Sequence, residues 1–154
     1  MIRLAEIKDI DDILRLLDEI RDVHHKIRPD LFKSSGYKYN KDELIKMINN
    51  PLTPIFVYID NNELVGYAMN VITIHKDENV ICDFKTLYLD DLCVEKNSRG
   101  KNIGHKLFDY VKNYAKEIGC HNITLNVWNG NDQAIKFYES LGLKPQKVTM
   151  EVIL

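Results

Sequence analysis

Between Leu87 and Leu107 the sequence passes from an apolar run with strand character, Leu87–Val94, through a polar turn holding Arg99, Gly100 and Lys101, into a helical pattern that begins at Ile103. Such a strand–turn–helix junction aims several backbone N–H groups and the positive end of a helix dipole at one point, which suits a phosphate group. The glycines Gly100 and Gly104 keep side chains from holding a ligand off the backbone. Just upstream stands a second feature with chemical content, the adjacent carboxylates Asp90 and Asp91 inside an apolar strand. A charge in that setting carries a desolvation cost and calls for a task, such as taking a proton. Strict alternation would send only one of the two toward any site, with Asp90 as first choice, while Asp91 and Glu95 remain alternatives; both aspartates simply ending the strand or pairing with a lysine is the plain structural reading. Cys93 lies beside them, but no histidine is placed to activate it, and an isolated thiol reads as a small buried hydrophobe. The pair His24–His25 points in two directions on a helix, so no metal site is expected.

These residues need a scaffold, and the rest of the chain supplies one. Its 154 residues, 45% of them hydrophobic, suit a single domain spanning 1–154 with its own core. A net charge of -2 argues against a nucleic-acid partner. Cys82, Cys93 and Cys120 show neither disulfide nor zinc spacing, which fits a reducing cytoplasm. The N-terminus lacks the apolar centre of a signal peptide and no run approaches a membrane span, so a soluble protein without membrane association is expected.

Taken in order, Ile2–Ala5 reads as a short strand, followed by a helix capped at Asp9 or Asp11 with Ile10, Ile13, Leu14, Leu17 and Ile20 on one face. Pro29 makes Asp22–Phe32 a bent, partly irregular segment. Asn40 and Glu43 form a capping box for a short helix ending before Pro51. Pro54–Ile59 and Leu64–Ile74, separated by Asp60-Asn-Asn-Glu63, read as a hairpin in which Gly66 marks a close approach or a bulge. Lys85–Val94 is a third long strand, and the helix from Ile103 stops at Gly119. His121–Val127 is a strand, Asn131–Leu141 a helix, and Leu143–Leu154 a closing strand or hairpin arm. The hairpin demands antiparallel pairing and the late strand–helix–strand unit demands a parallel pair. An α/β fold is expected, with a mixed, mostly antiparallel central sheet flanked by helices on both faces.

The segment Asp90–Gly104, together with Asn131-Asp-Gln-Ala-Ile-Lys-Phe-Tyr-Glu-Ser-Leu-Gly-Leu, resembles the two signature motifs of the GNAT superfamily of acetyl-CoA-dependent N-acetyltransferases. Those motifs are Arg/Gln-x-x-Gly-x-Gly/Ala, and Asn-x-x-Ala-x-x-Phe-Tyr-x-x-x-Gly-Phe. Asp90-Asp91-Leu92 is most similar to the Glu-Asp-aromatic stretch of the polyamine (diamine) branch. The chain departs from the pattern at Asn102, where the first motif glycine belongs, and at Leu143 in place of phenylalanine. Asparagine tolerates left-handed backbone and caps helices, so the turn is expected to survive.

The resemblance implies acetyl-CoA as cosubstrate and no metal. The amides of Leu92, Cys93 and Val94 would hold the pantetheine, and those of Arg99 or Gly100 through Lys101, Asn102, Ile103, Gly104 and His105 the pyrophosphate. Lys101, Lys106 and Lys136 would add positive charge, and Asn131 would serve as helix cap, cofactor ligand or both. It also implies direct attack of a primary amine on the thioester. Asp90 would draw off the ammonium proton, and the Tyr138 phenol would return one to the departing sulfur. The irregular stretch His24–Asp30 would close the acceptor pocket, a small-molecule or peptide amine would be the acceptor, and a homodimer is expected. A CoA-binding regulatory module that has lost turnover is the alternative, with Asn102 as its only hint. A P-loop enzyme is excluded by the lack of Gly-Lys-Ser/Thr and of a metal-binding carboxylate set.

Overall fold

A computed structural model describes residues 1–154. Its elements are β1 (Ile2–Leu4), α1 (Ile10–Ile27), α2 (Lys41–Ile48), β2 (Ile55–Asp60), β3 (Glu63–His75), β4 (Phe84–Val94), α3 (Ile103–Glu117), β5 (Asn122–Thr124) and α4 (Asp132–Ser140). The five strands pair in chain order, antiparallel throughout except for the parallel pair β4–β5. The α/β mixed, mostly antiparallel sheet read from the sequence is the fold observed.

Two apolar clusters cover the sheet. On one face Ile10, Ile13, Leu16 and Leu17 of α1 and Leu44 of α2 pack against Tyr67, Met69 and Cys93. On the other, Ile103, Leu107, Phe108 and Val111 of α3 pack against Phe56, Ala68, Leu87 and Leu89. Gly66 allows the second contact: a Cβ there would lie 3.0 Å from the Cys93 carbonyl oxygen and 3.2 Å from Leu107 Cδ1.

Local signals gave local structure. Asn40 Oδ1 accepts from the Glu43 N–H at 2.8 Å while the Glu43 carboxylate accepts from the Asn40 N–H at 3.3 Å, so the expected capping box forms. The β2–β3 hairpin turns at Asn61 and Asn62, both with positive φ (48° and 66°), as a tight two-residue turn requires.

Three expectations fail for identifiable reasons. α1 runs straight through His24 and His25 to Ile27, because Pro29 restricts only the residue before it, and the helix ends at Arg28. β5 pairs with β4 only at Thr86, Leu87 and Tyr88, shorter than His121–Val127, because the two strands part beyond that point. The closing strand over Leu143–Leu154 is absent: the segment makes no ladder with the free edge of β5, and the last main-chain bond is from the Leu143 N–H to the Tyr138 carbonyl. That tail leaves Val148, Met150, Val152 and Ile153 exposed and is tied back by Glu151, which pairs with Arg28 at 2.6 Å.

Candidate active site

Near its middle, β4 carries one residue too many. Asn70 of β3 faces Leu89 and Met69 faces Asp91, so Asp90 is a β-bulge. The extra residue shifts the side-chain phase. Leu87 and Leu89 before the bulge and Leu92 after it pack on the α3 side, whereas Asp90, Asp91 and Cys93 turn toward α1 and the loop before α2. Strict alternation would have separated the two carboxylates. The bulge brings them to one face.

Each carboxylate has its own surroundings. Asp91 is buried and accepts a hydrogen bond from the Tyr67 hydroxyl at 2.9 Å. Burial raises its pKa to about 6, opposed by the positive charge of Lys38 and by the Tyr67 bond. Asp90, with a side chain 12% exposed, accepts from the Tyr39 hydroxyl at 2.5 Å and lies 3.2 Å from Lys38 Nζ, which also donates to the Asp90 main-chain carbonyl at 3.0 Å. The lysine pairing considered for the aspartates in the sequence is thus present at Asp90. Glu95, the other carboxylate considered, is held at the end of the strand by Arg15 and by the Ser98 hydroxyl. Burial pushes the Cys93 thiol up to about 12, and its Sγ donates to the Leu16 carbonyl, so it packs as a neutral group.

Beyond the bulge the outer edge of β4 from Leu89 through Leu92 and Val94 has no partner strand, because β5 has diverged. The chain then turns. Gly100 takes φ +89°, and Asn102, at φ +58° and ψ 23°, adopts the left-handed conformation that its place in the turn requires. Its side chain makes no capping bond, so half of the expected role is filled. Arg99 donates its amide to Lys96 and its Nε to the Val94 carbonyl, so the amide row begins at Gly100 rather than Arg99. The amides of Gly100, Lys101, Asn102, Ile103, Gly104 and His105 meet no acceptor within the chain; the first bond of α3 runs from the Lys106 N–H to the Asn102 carbonyl. A diphosphate fits this donor set. Of the lysines expected to assist, Lys101 pairs with Asp60 at 3.2 Å, Lys106 lies 5.9 Å from the Tyr58 ring centroid, and Lys136 on α4 makes no ion pair.

The phenol arrives from α4. Asn131 caps that helix, its Oδ1 accepting from the Ala134 N–H at 3.3 Å. Gly104 seats the start of α3 against α4: a Cβ there would lie 3.1 Å from Phe137 Cζ, and His105 meets the Phe137 ring edge-on at 5.1 Å. The next residue, Tyr138, is partly buried with no hydrogen-bond partner, and desolvation followed by the nearby Asp91 and Cys93 raises its pKa. It therefore keeps its proton and feels the charge on Asp91. Asp91 and the phenol thus lie within electrostatic reach of each other, and Gly104 and His105 of the amide row meet Phe137 beside that phenol.

Around this region stand Lys38 and Tyr39, which come from the irregular loop before α2 and carry no periodic or motif signal. Tyr67 and Tyr88 were legible in principle, Tyr88 as the residue two before Asp90. His24–Asp30 borders the same region: burial and then the charge of Lys38 lower the His24 pKa, its ring lies 5.1 Å from Phe32, and Phe32 meets Trp128 edge-on at 5.6 Å. A separate groove of about 260 Å³ between the end of α3 and Leu141–Leu143 contains none of these residues.

Residues 17–143 match the family model described as acetyltransferase (GNAT) family. The chain belongs to the GNAT family of acetyltransferases. The GNAT chain is 26% identical over 153 residues to a thialysine N-epsilon-acetyltransferase of Bos taurus, covering 92% of this chain and 82% of that one. It superposes with TM-score 0.96 and 30% identity on a mutant of the BH1408 protein of Bacillus halodurans, over 100% and 99% of the two chains. It shares its fold, at TM-score 0.72 and 14% identity over 100% and 98% of the chains, with an aminoglycoside N-acetyltransferase in complex with CoA. The GNAT family takes its acetyl group from acetyl-CoA, and this chain is an acyltransferase enzyme.

Proposed function

We propose that the enzyme transfers the acetyl group of acetyl-CoA to a primary amine on a small, positively charged acceptor, by direct attack in a ternary complex. The observation that carries this reading is the bulge at Asp90, which sets two carboxylates on one face, one of them, Asp91, within electrostatic reach of the protonated Tyr138 phenol. The amides from Gly100 to His105 hold the diphosphate of CoA, and the open edge of β4 along Leu92, Cys93 and Val94 takes the pantetheine arm.

An alkylamine arrives as an ammonium ion and has no lone pair to offer until a proton leaves. Asp90 meets the nitrogen, as its contact with the Lys38 ammonium illustrates. Asp91 shares the displaced proton; its pKa near 6 is matched to operation close to neutrality. As the tetrahedral adduct collapses, the Tyr138 hydroxyl gives its proton to the departing sulfur, and Asn131 keeps α4 in place.

The carboxylate pair favours cationic acceptors such as polyamines or thialysine over a sugar phosphate, whose charge it repels. The test is thiol release from acetyl-CoA over a panel containing spermine, thialysine, an aminoglycoside and glucosamine 6-phosphate. Release with a polyamine or thialysine as the best acceptor is expected. Release with none of them, or with the sugar phosphate ranked first, refutes the reading.

We further propose a cytoplasmic homodimer. The free cysteines, with Cys82 exposed, favour a reducing compartment, and the exposed Val148, Met150, Val152 and Ile153 favour self-association. Sedimentation velocity tests the second claim, and a monomer at micromolar concentration refutes it.

A further inference from the structure

One amine already stands where the proposed acceptor must stand. Lys38 Nζ lies 3.2 Å from the Asp90 carboxylate, donates to the Asp90 main-chain carbonyl at 3.0 Å, and sits 5.6 Å from the Tyr39 ring centroid. Its charge is felt at Asp91, Tyr88 and His24. A side-chain ammonium held at the extra residue of a bulge, among the carboxylates that would deprotonate a substrate, has the chemistry and the setting of a substrate. The Lys38 side chain is 39% exposed, against 66%, 62% and 59% for Lys8, Lys41 and Lys101. Unassisted reaction with a thioester would favour those three.

We propose that Lys38 is an intramolecular acetyl acceptor, modified in cis when no amine substrate occupies the site. The inference rests on the acetyl-transfer reading above. Nζ gives one proton to the carboxylate pair through Asp90, and its freed lone pair attacks the thioester carbonyl carbon. The carbon–sulfur bond then breaks, the sulfur takes the Tyr138 proton, and Nζ passes its second proton to the resulting Tyr138 phenolate, which leaves a neutral amide, free CoA and one net proton on the carboxylate pair. The product no longer carries the cation that Asp90 now pairs with, so the acceptor nitrogen loses its internal competitor for that carboxylate.

The experiment incubates the full chain with acetyl-CoA and no amine, followed by peptide mass mapping at two protein concentrations. Acetylation of Lys38 is expected to run about 100-fold or more ahead of Lys8, Lys41 and Lys101, a difference of the size one positioned general acid or base provides. The rate constant should not change with protein concentration, Tyr138→Phe should slow Lys38 alone, and Lys38→Arg should remove that site's label. Equal labelling of the four lysines, a rate that climbs with protein concentration, or indifference to Tyr138→Phe overturns the proposal. Thiol release with spermine is measured in parallel. Turnover of spermine with Lys38 unmodified sinks this inference and leaves the functional reading standing, whereas no thiol release in either assay sinks both. Labelling of Lys38 without turnover of any added amine supports the inference and refutes the small-acceptor reading.

Discussion

In Asp91→Asn the buried carboxylate becomes a neutral side chain of nearly the same shape, and the Tyr67 hydroxyl still finds an acceptor 2.9 Å away. What disappears is the charge. In the folded protein Asp91 holds its proton up to about pH 6, because burial penalises the ionised form, while in the unfolded chain it releases the proton near 3.8. Between those values the native state binds more protons than the unfolded state, so this group's contribution to stability falls as pH rises and its full cost is present above pH 6. That displacement corresponds to about 3 kcal/mol. Asparagine carries no such cost, so the variant should gain on the parent by up to about 3 kcal/mol between pH 3.8 and pH 7. Urea denaturation of both proteins at a series of pH values measures the difference, and the remaining titrating groups cancel because the two chains share them. At the same time kcat should fall, and the acidic limb of the kcat profile, rising through about pH 6 in the parent, should vanish. A stability difference that is flat across the range, or that favours the parent at neutral pH, refutes the assignment of a desolvated carboxylate. An unchanged acidic limb refutes its share in the proton transfer.

Tyr138→Phe should lower kcat by about 100-fold or more with little change in CoA affinity, read by steady-state kinetics and calorimetry, since only the phenolic proton is removed. Asp90→Asn should raise the acceptor KM more than Asp91→Asn does, because Asp90 meets the incoming nitrogen; equal KM values for the two variants contradict that division. Asn102→Ala, at φ +58°, should cost about 1 kcal/mol in denaturation and weaken CoA binding, because alanine resists the left-handed turn that aligns the amide row. Leu107→Ala, at a fully buried site facing Gly66, should cost about 2–5 kcal/mol.

Features written into neighbouring residues were legible in the sequence: the capping box of Asn40 and Glu43, the Asn61–Asn62 turn, the strand–turn–helix junction, and the cap at Asn131. Features that depend on a partner strand were not. The bulge arises from how β4 meets Met69 and Asn70, and nothing within Asp90–Asp91 announces which of them is the extra residue. Strict alternation sends Asp91 to the far face, and the surplus residue at Asp90 returns it to the near one. Lys38 and Tyr39 belong to an irregular loop whose path is set by α1 and α2, so no periodicity pointed to them. The tail from Leu143 has the apolar content of a strand, but a strand is a relation between two segments, and the tail does not pair with the free edge of β5.

Because the irregularity at Asp90 is a matter of one surplus residue, a single-codon deletion there would leave a flat, evenly paired β4 of a kind a designer of ideal sheets would prefer. The repaired ladder would keep one aspartate and leave Leu87, Leu89 and Leu92 on the α3 side where they already pack, so one carboxylate would be lost while the packing of the strand survived. Regularising this sheet and preserving its chemistry are incompatible goals, and natural variants or engineered homologues that straighten the strand should survive only where acetyl transfer is no longer demanded of them.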